Sequence, residues 1–126
     1  MQIKTIAVYK KEEEIKKITN KLREYKFRDF KKTGHFEFSI LEKATDEKLL
    51  IETFPKFNLI KTIELRENPN GQQYYGFNYE LKDKTFVVIV LALDKIPPWI
   101  INGYHKNRDY KKFEKQLRKN YAKRFI

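Results

Sequence analysis

The stretch Leu59–Leu93, LIKTIELRENPNGQQYYGFNYELKDKTFVVIVLAL, decides the fold. Leu59 to Arg66 reads as a strand, and Asn68-Pro69-Asn70-Gly71 gathers the residues that favour a turn. Tyr74 to Leu81 is a second strand, with Tyr75, Phe77, Tyr79 and Leu81 on one face at a period of two. Lys82-Asp83-Lys84 turns the chain again, and Phe86 to Leu93 is apolar nearly throughout. Three consecutive strands joined by short turns predict an antiparallel meander. A strand that is apolar on both sides is expected at the centre, with both its faces covered.

Working outward, Ile3 to Tyr9 alternates β-branched and polar residues, as a short strand does. From Lys10 to about Lys26 the spacing of Ile15, Ile18, Leu22 and Tyr25 predicts a helix, with Glu12, Glu13 and Glu14 suited to its positive end. Thr33-Gly34 marks a turn, and His35 to Leu41 alternates Phe36, Phe38 and Ile40 with polar residues, which predicts a further strand. Asp46 to Phe54 reads as a short helix capped by Thr45 or Asp46 and ended by Pro55. Beyond Pro97-Pro98, Trp99 to Tyr104 is extended. From Arg108 the chain is helical, with Tyr110, Phe113, Leu117 and Tyr121 on one face. The expectation is one α+β domain over residues 1–126: a four- to six-stranded, mostly antiparallel sheet with the N-terminal helix and a basic C-terminal helix on one side.

Composition sets further bounds. The chain has 126 residues, the length of one core, and its 15% aromatic content supplies enough apolar material to fold despite 36% charged residues. No run approaches the ~20 apolar residues of a membrane helix, and Met1-Gln-Ile-Lys-Thr has no apolar leader. A cytoplasmic protein without membrane association is the expectation. The absence of cysteine excludes disulfides, thiolate metal sites and a Cys nucleophile. Four isolated glycines provide no phosphate-cradling loop, and Ser39, the only serine, lies on an ordinary element. His35 and His105 lack the spacing of a helical metal site, so no metal and no cofactor are expected.

Charge is the strongest functional signal. The formal net charge is +11, and residues 105–126 hold nine Lys/Arg against Asp109 and Glu114. Such a cluster binds a polyanion by releasing its counterions, and nucleic acid is the commonest such partner. Lys106, Lys111, Lys115, Arg118 and Lys119 are therefore candidate nucleic-acid contacts.

Ile63-Glu64-Leu65-Arg66, then Asn70-Gly71 and Tyr74-Tyr75, Lys82-Asp83-Lys84, and an apolar strand ending at Lys95 together resemble the RelE/HigB-type toxins of bacteria and archaea. Gly103-Tyr104-His105-Lys106-Asn107-Arg108-Asp109-Tyr110 is similar to the ending of some members. The resemblance spans residues 60–112. It departs at Gly76, where many members carry Arg, and in the segment between the first helix and the meander. It implies a metal-independent ribonuclease acting on RNA, often ribosome-bound messenger RNA, and neutralised by a cognate antitoxin protein. Such chemistry needs a base, an acid and cations around one phosphate. The resemblance then makes Arg66 the phosphate clamp, His105 the acid or base, Lys95, Arg108 and Tyr110 supporting groups, and Tyr74 or Tyr75 a nucleic-acid contact that stacks on a base. Simple alternation of strand direction places Lys95 with Arg66 and Tyr74, and His105 at the opposite end of the sheet. Two other readings stand beside this one: a non-catalytic RNA- or DNA-binding protein, and an interaction protein whose basic helix docks an acidic partner.

Overall fold

The computed structural model describes residues 3–126; Met1 and Gln2, on which the expectation about a leader partly falls, lie outside the described residues. Six strands form one sheet: β1 (Lys4–Tyr9), β2 (Lys31–Lys32), β3 (Ile60–Glu67), β4 (Gln73–Glu80), β5 (Phe86–Ala92) and β6 (Trp99–Lys106). Their order is β1-β3-β4-β5-β6-β2, antiparallel except for β2, which runs parallel to the start of β6. The meander is therefore present as β3, β4 and β5. Every residue of β5 is buried between β4 and β6, as a strand without alternation requires.

Four helices cover the sheet: α1 (Glu12–Asn20), α2 (Gly34–Glu42), α3 (Glu47–Thr53) and α4 (Tyr110–Tyr121). They do not share one side. Ile15, Phe36, Leu50 and Phe54 from the first three helices and the loop after α3 pack with Ile63, Phe77, Val87, Ile89 and Leu91 on one face. Tyr110 and Phe113 of α4 pack with Phe86, Val88 and Val90 on the other. The expectation of helices on one side is corrected by β5 itself, whose apolar residues on both faces each demand a cover.

Residues 35–41 form helix α2 rather than the strand that their alternation predicts. The Thr33 hydroxyl caps the helix by accepting from Phe36 N–H at 3.1 Å. Phe36 and Ser39 are buried with Ile40 half-buried, which is helical spacing, while Phe38 is 62% exposed. Helix α1 ends at Asn20 instead of near Lys26, and a short 3-10 turn at Phe27–Asp29 follows. Phe27, Phe30, Phe36 and Phe54 then form an aromatic cluster beneath the sheet, edge-to-face except for the tilted Phe27–Phe36 pair, with Phe30 and Phe54 centred 4.9 Å apart.

Gly103 of β6 sits under this cluster. A Cβ there would stand 2.7 Å from Leu50 Cδ1 and 3.3 Å from Phe36, and both side chains are fully enclosed. Gly103→Ala is expected to destabilise the domain by about 1–3 kcal/mol through overpacking, read as a lower midpoint in urea. A neutral substitution would show that Leu50 has room to turn aside.

Candidate nucleic-acid interface

Helix α4 begins where the sequence places its cap. Asp109 accepts from Lys112 N–H at 3.2 Å, and Tyr110 N–H donates to the Lys84 carbonyl at 2.7 Å, which ties the helix to the β4–β5 turn. Tyr110 and Leu117 are buried, and Phe113 stacks 4.6 Å from Phe86. After α4 the chain returns to β1, where Ile126 N–H donates to the Val8 carbonyl and Arg118 lies over the Phe125 ring. The helix is thus held along its length and at both ends.

Its outer face is mostly basic, with the neutral Gln116 and Asn120 along one flank. Lys111, Lys112, Lys115, Arg118 and Lys119 are all exposed. Among the described residues none of the five lies within 4 Å of a carboxylate. The only acid within the helix, Glu114, points inward and is taken by Lys10 and by the Tyr110 hydroxyl. Lys111, Lys115, Arg118 and Lys119 share a stripe. At 1.5 Å per residue that stripe runs about 12 Å, the span of several stacked nucleotides at ~3.4 Å each.

Between α4 and the sheet lies a continuous polar network. Arg66 donates to Glu64 at 3.3 Å, and Glu64 also accepts from Thr5 and from Asn78. Asn78 donates a second bond to Thr62. Tyr110 donates to Glu114, so the single Thr62 hydroxyl proton goes to Tyr110, 2.8 Å away. Burial and the Glu114 carboxylate push the Tyr110 hydroxyl far above its ordinary range, despite the Thr62 bond that opposes them. Burial alone would lower the Arg66 pKa, but Glu64 and Tyr104 outweigh it and hold the guanidinium charged. The guanidinium lies across β4 over Gly76, 3.1 Å from where a Cβ would stand. Here the glycine has a physical reason: the arginine of the neighbouring strand occupies its side-chain space.

The strand registers place the remaining candidates. Arg66 pairs with Tyr74, whereas His105 pairs with Val87, then Tyr79, then Ile60. Arg66 and Ile60 are six residues apart on one strand, roughly 20 Å. His105 and Arg66 also occupy opposite faces, because His105 is opposite Val87 of the α1–α3 core and Arg66 belongs to the α4 side. His105 Nε2 is 2.8 Å from Thr85 Oγ1, whose proton goes to Asp83; the imidazole N–H therefore donates to Thr85. Two Thr85 bonds hold the Asp83 carboxyl below its usual range. His105 clamps the β4–β5 turn.

Arg66, Lys95 and Tyr74 thus share one end of the sheet, while His105, Lys106, Arg108 and the start of α4 share the other. Lys106 lies 5.3 Å over the Tyr104 ring, and Arg108 is exposed. Tyr110 is enclosed in the network, and Tyr75 packs on Phe77 on the helix-rich face, where burial and Tyr9 raise its hydroxyl pKa. The five residues that the resemblance makes catalytic do not converge on one point. Sequence reasoning missed Trp99, Lys31 and Gln72, and set His35 aside; all four lie around the Lys95 end. The one legible signal was a solitary Trp directly after Pro97-Pro98. No family model, no curated protein and no solved structure matches this chain.

Proposed function

We propose that this chain is a nucleic-acid-binding domain that holds the phosphate backbone on the outer face of α4. The observation that carries the reading is the stripe of unpaired cations on a helix anchored to the sheet at both ends. A flexible basic surface is mostly solvated charge, but cations fixed in register on a docked helix meet phosphates at low entropic cost. The neighbouring Lys82, Lys84, Lys106 and Arg108 extend the positive field beyond the start of the helix.

Binding without cleavage fits the geometry better than the RelE-like ribonuclease. Cleavage needs an acid or base within hydrogen-bond reach of the phosphate that the cation clamps. His105 is on the far face and engaged with Thr85, and Arg66 is engaged with Glu64. Labelled RNA incubated with the protein and a chelator is expected to shift in a gel and to remain intact. Cleavage that persists in the chelator and is lost in both Arg66→Ala and His105→Ala would restore the ribonuclease reading, together with its antitoxin. Absence of any shift at physiological salt would favour an acidic protein as the partner of α4.

A further inference from the structure

Where β3 turns into β4, the sheet face that carries α4 ends in a cleft of about 460 Å³, within the ~300–1,000 Å³ of small-molecule sites. Its floor is apolar, formed by Ala92, Trp99 and Ile101. One wall is the β3–β4 turn, fixed by its own hydrogen bonds. Asn68 Oδ1 accepts from the backbone of Asn70 and Gln72, while Asn68 Nδ2 donates to Gln72 Oε1 at 2.9 Å. The Tyr74 hydroxyl donates to the same Gln72 oxygen at 3.0 Å. These bonds orient the Gln72 carboxamide and leave its Nε2 without a partner among the described residues. Opposite the turn, two ammonium groups lie over the single indole: Lys31 Nζ at 4.8 Å and Lys95 Nζ at 5.1 Å from the Trp99 ring centroid.

An aromatic face, an oriented amide donor and the Lys95 ammonium in one cleft, with Lys31 on the same indole, are the groups that recognise a base with its phosphate. We propose that the cleft takes one unpaired nucleobase of the strand bound along α4. The base stacks on Trp99 and displaces one ammonium from the ring, Gln72 Nε2 donates to the base edge, and Lys31 and Lys95 hold the adjoining phosphate. The cleft opens onto the groove beside α4. Ile3 lines this cleft and also the groove of about 330 Å³ between β1, β3 and the C-terminal half of α4. A strand bound on the stripe crosses α4 to the Gln116–Asn120 flank to enter that groove and reach Trp99. The inference rests on the nucleic-acid reading above and adds to it that the ligand is single-stranded where it meets the cleft.

Trp99 is the only tryptophan, so intrinsic fluorescence reports this cleft alone. The intact chain is titrated at constant ionic strength with AMP, UMP, ribose 5-phosphate and a short single-stranded RNA, with anisotropy of labelled RNA read in parallel. AMP and UMP are expected to quench saturably and ribose 5-phosphate is not, while the RNA quenches at far lower concentration. Lys95→Ala keeps the fluorophore and is expected to weaken nucleotide binding roughly threefold to fivefold. Trp99→Ala, checked by its thermal melt, is expected to weaken RNA binding by about tenfold, the loss of one stacked base. RNA that binds by anisotropy without quenching Trp99 overturns the cleft and leaves the α4 reading standing. Equal quenching by ribose 5-phosphate, or AMP bound as tightly as the RNA, also overturns it. No RNA binding by anisotropy overturns both.

Discussion

Glu64→Ala is expected to lower the unfolding free energy by about 3–5 kcal/mol, the cost of stripping one partner from a buried ion pair. Glu64 is only 4% exposed and accepts from Thr5, Asn78 and Arg66 at 3.2, 3.0 and 3.3 Å. Its removal leaves the Arg66 guanidinium, whose side chain is 22% exposed, lying over Gly76 without a counter-charge. Arg66 cannot relieve this by losing its proton. Glu64→Gln keeps the shape and an acceptor oxygen, and is expected to cost nearer 1–2 kcal/mol. Glu64→Leu combined with Arg66→Leu removes both charges and is expected to recover most of the loss. Urea denaturation measures all three as shifts in midpoint at constant slope. A loss below about 1 kcal/mol in Glu64→Ala would mean that solvent screens the pair and that Arg66 is available to a phosphate.

Lys111→Gln, Lys115→Gln, Arg118→Gln and Lys119→Gln, combined in one protein, are expected to weaken nucleic-acid binding by about 10³-fold at 0.1 M salt. Each phosphate contact contributes a log–log salt slope of about 0.7–0.9, and four contacts compound to roughly three decades relative to 1 M. The four side chains are exposed and outside the Tyr110, Phe113 and Leu117 docking face, so the melting temperature is expected to fall only by the loss of the Arg118 contact with the Phe125 ring. Leu117→Ala has the opposite signature: a loss of about 2–5 kcal/mol in stability with the salt slope of the folded protein retained. Calorimetry and anisotropy on the two variants separate a binding surface from a docking face.

How much of this was legible in the sequence follows from which interactions are local. Strands β3, β4 and β5 are joined by tight turns and carry period-two or fully apolar patterns, so their existence and register can be read from neighbouring residues. Helix α4 was legible because Asp109 caps it and its apolar face repeats at helical spacing. Residues 35–41 were misleading. Their apolar residues alternate, yet the Thr33 cap and the burial of Phe36 with Ser39 against β6 decide for a helix. The division of helices between faces was implicit in β5, whose unbroken apolar run needs two covers.

The polar site divides in the same way. Arg66 and the α4 cations stand out as residue types, but what engages Arg66 does not. Glu64 is two residues away along the strand, while Gly76, Asn78 and Tyr104 come from other strands. The cleft is harder still. Lys31, Gln72, Lys95 and Trp99 meet only because the two-residue strand β2 pairs in parallel with the start of β6 beside the β3–β4 turn. A pairing of two residues leaves no pattern in the chain. His105 shows the converse: a residue type apt for catalysis is engaged by Thr85 of the adjacent turn, a cross-strand partner that its own sequence neighbours do not reveal.

The most direct test of α4 as a nucleic-acid surface is the salt dependence of the intact chain's affinity for a labelled single-stranded RNA, followed by anisotropy between about 50 and 200 mM salt. With the stripe Lys111, Lys115, Arg118 and Lys119 on phosphates, log affinity is expected to fall linearly with log salt at a slope of about −3 or steeper. A slope near zero, or no binding at the lowest salt, would contradict the account and leave the charge of α4 as a solvated surface.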